Sequence, residues 1–220
     1  MIVLAFKVEV WGEYACFTRP EMKVERVSYD VMTPSAARGI LDAIYWHPGM
    51  KWVIDKIHVL NPIKFTNIRR NEVSDVVSAR NVRTVMTGGR ADLFINTKDC
   101  IQQRAAMVLK DVHYVIEAHF VLTDKASPRD NPEKFCDIIR RRLERGQCYH
   151  QPCFGTREFP ANFRAWQDGD PVASWSTGER DLGFMLYDMD YSDPENIKPK
   201  FFRAGLVDGV LDVRDCEVFR

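Results

Sequence analysis

From Arg104 to Thr123 the chain alternates with a period of two over some twenty residues. Ala106, Val108, Lys110, Val112, Tyr114, Ile116, Ala118 and Phe120 fall on one side. Met107, Leu109, Asp111, His113, Val115, Glu117, His119 and Val121 fall on the other. Successive side chains of a strand point to opposite faces, so this pattern predicts one long, bent β-strand. Two shorter stretches repeat the pattern. Residues 2–10 put Ile2, Leu4, Phe6, Val8 and Val10 on one face, with an end at Trp11-Gly12. Residues 51–60 alternate up to Asn61-Pro62, which stops the strand.

Between these strands the period changes to that of a helix. Thr33-Pro34-Ser35 is a helix start, with Thr33 as N-cap and Pro34 at the first helical position. Ala37, Ile40, Leu41 and Ile44 form its buried face, and Pro48-Gly49 ends it near Trp46. A second helix begins at Asn131-Pro132, buries Phe135, Ile138, Ile139 and Leu143, and closes at Gly146. Residues 148–165 are expected to begin as a strand and turn at Gly155. Residues 64–103 are polar and contain Gly88-Gly89, and read as a long loop or a projecting hairpin. The order β–α–β–(excursion)–β–α–β is that of an α+β, ferredoxin-like (RRM-like) split βαβ unit over residues 1–165. Beyond Trp166 the composition turns acidic, with short strands at 183–187 and 205–213, which predicts a small antiparallel β domain over 166–220.

The formal charge is zero, with 31 basic and 31 acidic residues, but it is unevenly spread. Residues 166–220 hold 6 Lys and Arg against 12 Asp and Glu, so the first part carries the excess positive charge. From Lys64 to Lys110 there are 9 basic and 4 acidic residues. Such an asymmetry fits a polyanion partner for the first part or a merely solvated surface. Arg80, Arg83, Arg90 and Arg104 are the candidate phosphate contacts of the excursion, and Arg140, Arg141 and Arg142 those of the second helix.

No stretch is apolar enough to span a membrane. The apolar start Met1–Phe6 lacks a basic lead and a cleavage site, so a secretory signal is not expected. Cys16, Cys100, Cys136, Cys148, Cys153 and Cys216 then read as reduced thiols in a cytoplasmic protein. Cys148 and Cys153 flank His150, but a second ligand pair for zinc is missing. Walker, G-x-G-x-x-G, G-x-S-x-G and H-E-x-x-H motifs are absent. The run Asp188–Asp193 fails as a calcium loop, with Asp193 where glycine is required.

Three places carry chemistry. Ile44-Tyr45-Trp46-His47-Pro48 sets Tyr45 and His47 beside a helix end, as cleft residues or as a capping aromatic cluster. A phenol is a poor base unless nearby cations lower its pKa. Lys134 stands in the first turn of the second helix, against the helix dipole, a place that suits a bound anion. The block Gly146–Ala161 brings Tyr149, His150 and Phe154 for base stacking and Gln147 and Gln151 for base edges, or else forms a buried strand and turn.

Together these segments resemble the CRISPR-associated RAMP proteins of the fifth Cas family, subtype d, the type I-C form. The resemblance rests on Gly12–Thr18, Ser28–Ile40, Ile44–Pro48, Leu109–Tyr114 and Gly146–Ala161. It implies a ferredoxin-like main domain with a small C-terminal β-sheet domain. It also implies an endoribonuclease that cuts CRISPR precursor RNA within its repeats with neither a metal nor another cofactor. Such a protein stays on the 5′ handle of the crRNA as a subunit of the type I-C surveillance complex. In the family a catalytic tyrosine follows the first helix, matching Tyr45, and a lysine near the start of the second matches Lys134. Some members place a histidine directly after that lysine. Here it is Phe135, which leaves His47, His113 and His150 as alternatives for the third role.

The implied reaction uses the RNA's own 2′-hydroxyl and leaves a 2′,3′-cyclic phosphate and a 5′-hydroxyl. It needs a group at the 2′-oxygen, Tyr45 as base or orienting group, and charge stabilisation on the phosphorane, Lys134. Two other readings compete with the nuclease. One is a handle-binding scaffold that does not cut. The other is a general nucleic-acid binder, duplex DNA included, acting through residues 64–110.

Overall fold

The computed structural model describes residues 5–22, 24–167 and 174–220. In chain order the elements are β1 (Phe6–Ala15), α1 (Pro34–Ile44), β2 (Met50–Val59), β3 (Phe65–Val73), α2 (Ala79–Met86), β4 (Ile101–Leu122), α3 (Pro132–Arg145), β5 (Asn162–Ala165), β6 (Glu179–Asp190), β7 (Lys198–Val207), β8 (Val210–Asp212) and β9 (Val218–Phe219).

The long alternating stretch is one strand, β4, of 22 residues. On one edge it pairs with β2, from Val59 opposite Tyr114 to Met50 opposite Leu122. Towards its start it pairs with β3, from Phe65 opposite Leu109 to Val73 opposite Ile101. Its other edge carries β1, from Phe6 opposite Ala118 to Ala15 opposite Leu109. Asn61-Pro62 separates β2 from β3, as the proline requires. Opposite that break Asp111 adopts φ 53°, and Asn61 Nδ2 donates to its carbonyl at 2.8 Å. The polar excursion is therefore a hairpin arm, β3 against the first half of β4, with α2 near its tip. No residue of α2 is buried.

The other seven strands, with the second half of β4 and both long helices, make the body. The sheet order is β5-β1-β4-β2-β8-β7-β6, and every pairing along it is antiparallel. Both helices form where their caps and apolar stripes predict. Thr33 Oγ1 accepts from the Ala36 amide, and Asn131 Oδ1 from that of Lys134. Gly146 ends α3 in the left-handed conformation, φ 61°. Ala37, Ile40, Leu41 and Ile44 of α1 and Phe135, Cys136, Ile139 and Leu143 of α3 join Val8, Val10, Ile57, Tyr114 and Ile116 in one core. Phe6, Trp52, Phe120 and Phe135 interlock edge-on at its centre, with ring centroids 5.8–6.0 Å apart.

Two expectations need correction. The first strand does not end at Trp11-Gly12 but runs to Ala15, with Gly12 paired to Val112. Glycine is needed there because a Cβ would stand 2.8 Å from the Phe154 ring. Its predicted start at Ile2–Leu4, with the rest of Met1–Leu4, lies outside the described residues. Residues 148–161 hold no strand. A single bridge, Cys153 to Pro160, precedes the short β5. The sheet runs on across the change of composition at Trp166, since β8 pairs with β2, His58 opposite Val210.

Candidate active site at the C-terminal end of α1

A helix leaves its last carbonyls without intrahelical donors. At the end of α1 each is taken by a different part of the chain. The Ala43 carbonyl accepts from the amides of Tyr149 and His150 at 2.9 and 3.1 Å. The Ile44 carbonyl accepts from Arg142 of α3. The Tyr45 carbonyl accepts from Trp52 Nε1 of β2 at 3.0 Å. Tyr45, the C-cap, is thus held where α1, α3, β2 and the 146–161 loop meet.

The Tyr45 ring is 7% exposed. It packs on Phe135, centroids 6.2 Å apart, and under the Arg142 guanidinium at 5.1 Å. Burial pushes its phenol pKa up, and the opposite pull of Lys134 and Arg142 does not cancel this. At neutral pH Tyr45 is therefore a neutral phenol, suited to orient a hydroxyl by hydrogen bonding and unsuited to act as a phenolate base.

Lys134 lies in the first turn of α3. Its unfavourable place at the helix dipole is offset by Asp130, whose Oδ1 lies 3.0 Å from Nζ. The Ser127 amide and hydroxyl also bind Asp130, and with Lys134 they hold its carboxyl well below the usual range. His47 completes the group. Its Nδ1 accepts the Gly49 amide at 3.0 Å, so the neutral ring carries its proton on Nε2. The His47 ring lies 5.1 Å from that of Phe135. Phe135 is fully buried and serves as the floor on which Tyr45 and His47 both rest.

The other histidines stand apart from this group. His113 Nε2 bonds Glu9 at 2.7 Å, and Arg164 pairs with the same carboxylate. Burial pushes the Glu9 carboxyl up, but Arg164 and His113 outweigh it and leave it below its ordinary value. His113 is thus held, with Arg164 of β5, on the buried carboxylate of Glu9. His150 packs edge-on against the exposed Tyr149, centroids 4.3 Å apart. It lines a cleft of about 860 Å³ between α1, the 150–157 loop and Leu186 of β6.

Small residues, Ser35, Ala36, Gly39 and Ala43, form the α1 side of this cleft, and a Cβ at Gly39 would meet nothing within 4 Å. Gly155, at φ 84°, lets the opposite loop lie against the segment after β1. A Cβ there would fall 2.0 Å from the Cys16 carbonyl oxygen. Gln151 and Arg157 project from this loop at the cleft.

The predicted phosphate contacts divide. Arg80 and Arg83 lie on α2 and Arg90 just beyond it, and none is ion-paired among the described residues. Arg104 is 3.6 Å from Glu72 at the stem of the arm. The three adjacent arginines of α3 do not share a face. Arg140 lies near Asp137, 3.8 Å away, and Arg141 is exposed. Arg142 turns inward, to the Ile44 carbonyl and the Tyr45 ring. Asp130 and Trp52 belong to the site and were not expected there. Only the i, i+4 spacing of Asp130 and Lys134 pointed to the first.

The fold is that of CRISPR-associated proteins. A solved crystal structure of a CRISPR-associated protein matches with TM-score 0.71 and 25% identity, covering 99% of this chain and 97% of that one. SMU1763c of Streptococcus mutans shares the fold, with TM-score 0.70 and 23% identity over 99% and 98% of the two chains. A chain of a CRISPR RNA-guided surveillance complex shares it at TM-score 0.53 and 14% identity, over 98% and 89%.

The chain belongs to the Cas5d family of CRISPR-associated proteins, whose model matches residues 5–214. It is 54% identical over 212 residues to the CRISPR pre-crRNA endoribonuclease Cas5d of Mannheimia succiniciproducens, covering 94% of this chain and 93% of that protein. It is 43% identical over 200 residues to the protein of the same name from Thermus thermophilus, covering 90% and 80%.

Proposed function

We propose that this chain is a CRISPR pre-crRNA endoribonuclease that cuts at the end of α1. The observation that carries the placement is the convergence of Tyr45, Lys134 and His47 around the buried ring of Phe135. The body, residues 1–165, is read as a ferredoxin-like RAMP unit from the strand order β5-β1-β4-β2 with two helices, and residues 166–220 as its C-terminal β extension. The 860 Å³ cleft seats the RNA next to the cut, with Tyr149, His150 and Gln151 available to its bases.

In this reading the 2′-oxygen attacks the adjacent phosphorus and loses its proton to solvent while the bond to the 5′-oxygen breaks. The products are a 2′,3′-cyclic phosphate and a 5′-hydroxyl. Tyr45 orients the 2′-hydroxyl, Lys134 stabilises the charge on the phosphorane, and the Nε2–H of His47 donates a hydrogen bond to the departing 5′-oxygen, which takes its proton from solvent. Cleavage of labelled repeat RNA is expected to persist in excess EDTA and to vanish with a 2′-deoxy substitution at the cut. Loss of cutting in EDTA, or cutting of the deoxy RNA, would overturn this chemistry.

His47→Gln is expected to slow single-turnover cleavage about 10–100-fold, while His113→Gln, which keeps a partner for Glu9, stays within about threefold of wild type. The reverse order would move the third role to His113. The unpaired Arg80, Arg83 and Arg90 suit a phosphate backbone outside the cleft, and support retention on the crRNA 5′ handle within a type I-C complex. The same arginines support duplex DNA as a second ligand of the arm. Tight handle binding without cutting would instead mark a scaffold subunit.

A further inference from the structure

Arg38 lies seven residues before Tyr45, two turns back along α1. Its guanidinium is forked by Asp188 of β6, Nε to Oδ2 at 3.0 Å and Nη2 to Oδ1 at 2.8 Å. Its Nη1 binds Asp42, one turn further along α1, at 2.9 Å. The three side chains are only 26%, 27% and 22% exposed for Arg38, Asp42 and Asp188. Burial opposes the charge on Arg38, and the two carboxylates more than restore it. A planar, bidentate, half-buried pair of this kind fixes geometry as well as charge.

What it fixes is the wall of the cleft. Leu186, two residues before Asp188, lines the cleft opposite the small face of α1 formed by Ser35, Gly39 and Ala43. The C-terminal strands contribute none of Tyr45, Lys134 or His47, yet β6 lines the cleft that runs along α1 as far as Ala43. We propose that Arg38 and Asp188 are positioning residues for the RNA, holding β6 against α1 at the spacing at which the cleft grips its substrate. The proposal rests on the reading of this cleft as the RNA seat.

Electrostatics and positioning predict opposite signs here. The trio carries one positive and two negative charges. Removing one negative charge tightens binding of a polyanion if charge alone matters. If position matters, it weakens binding. The experiment measures the Kd of 2′-deoxy, uncleavable repeat RNA, and the single-turnover rate on cleavable RNA at saturating protein.

Asp188→Asn is expected to weaken binding about tenfold and to leave the saturated rate within about threefold. The exchanged pair Arg38→Asp with Asp188→Arg, made together with Asp42→Asn so that two carboxylates do not face each other along α1, rebuilds the ion pair at the net charge of the single variant and is expected to recover most of the affinity. Asp181→Asn, which breaks the exposed pair of Asp181 with Arg203 on the same sheet, is expected to bind like wild type.

Equal or tighter binding by Asp188→Asn, or an exchanged pair no better than the single variant, would overturn the proposal alone. Gly39→Leu, which fills the cleft, separates the two levels. If it binds repeat RNA as wild type does, the cleft is not the RNA seat and both readings fall.

Discussion

Tyr45→Phe is expected to slow cleavage of repeat RNA by about 10²–10³-fold at saturating protein, with RNA affinity within about threefold of wild type. The ring stays, so its packing on Phe135 and under Arg142 stays with it. The cap contacts of α1 also survive, because they involve backbone carbonyls and Trp52. Only the hydroxyl is lost. A single-turnover assay with end-labelled RNA reads the rate, and filter binding with deoxy RNA reads the affinity. The pH profile adds a second check. Burial raises the phenol pKa, so wild-type activity should show no rise from tyrosine ionisation between pH 7 and the ordinary tyrosine range near 10. Full activity in the phenylalanine variant would remove Tyr45 from the reaction.

Phe135→Ala is expected to cost about 3–5 kcal/mol of folding stability, one of the largest single losses available in this core. Its ring is fully buried and touches Tyr45, His47 and Phe120. Removing it leaves a cavity at the centre of the site, so cutting should fall even where the protein remains folded. Urea unfolding of the two proteins measures the first effect, and cleavage well below the variant's midpoint measures the second. Phe135→Leu, which refills much of the volume, should recover most of the stability. A loss below about 1 kcal/mol for the alanine variant would mean that Phe135 is not the floor on which the site rests.

Much of this architecture was legible because it is written locally. Thr33-Pro34, Asn131-Pro132 and Gly146 are caps whose side chains or backbone act within three residues, and each marks a helix end as its chemistry demands. The period of two in β4 survives the turn at Asp111 and so could be read through it. What escaped depends on distant partners. Gly12 looked like a strand end, but it is the place where Phe154 crosses β1. The helix α2 has no buried face, so it lacked the apolar stripe that reveals α1 and α3. Three adjacent arginines point about 100° apart around a helix, and only packing tells which turns inward. Tyr45 and Lys134 stood out by their places at helix ends, and family resemblance suggested their roles. Their closeness, and that of His47, is a tertiary fact set by the crossing of α1 and α3.

The arm has no separate root. Its second leg, residues 101–109, is the same strand that β1 and β2 grip from residue 109 to 122. A load on the arm is therefore resisted in shear by two ladders of hydrogen bonds at the heart of the sheet, where a hinged loop would simply swing. Twenty-two residues of extended chain reach about 70 Å. The arm behaves as one end of a lever whose other end is the sheet itself, so a subunit or an RNA that engages its tip pulls on the strands that carry the core.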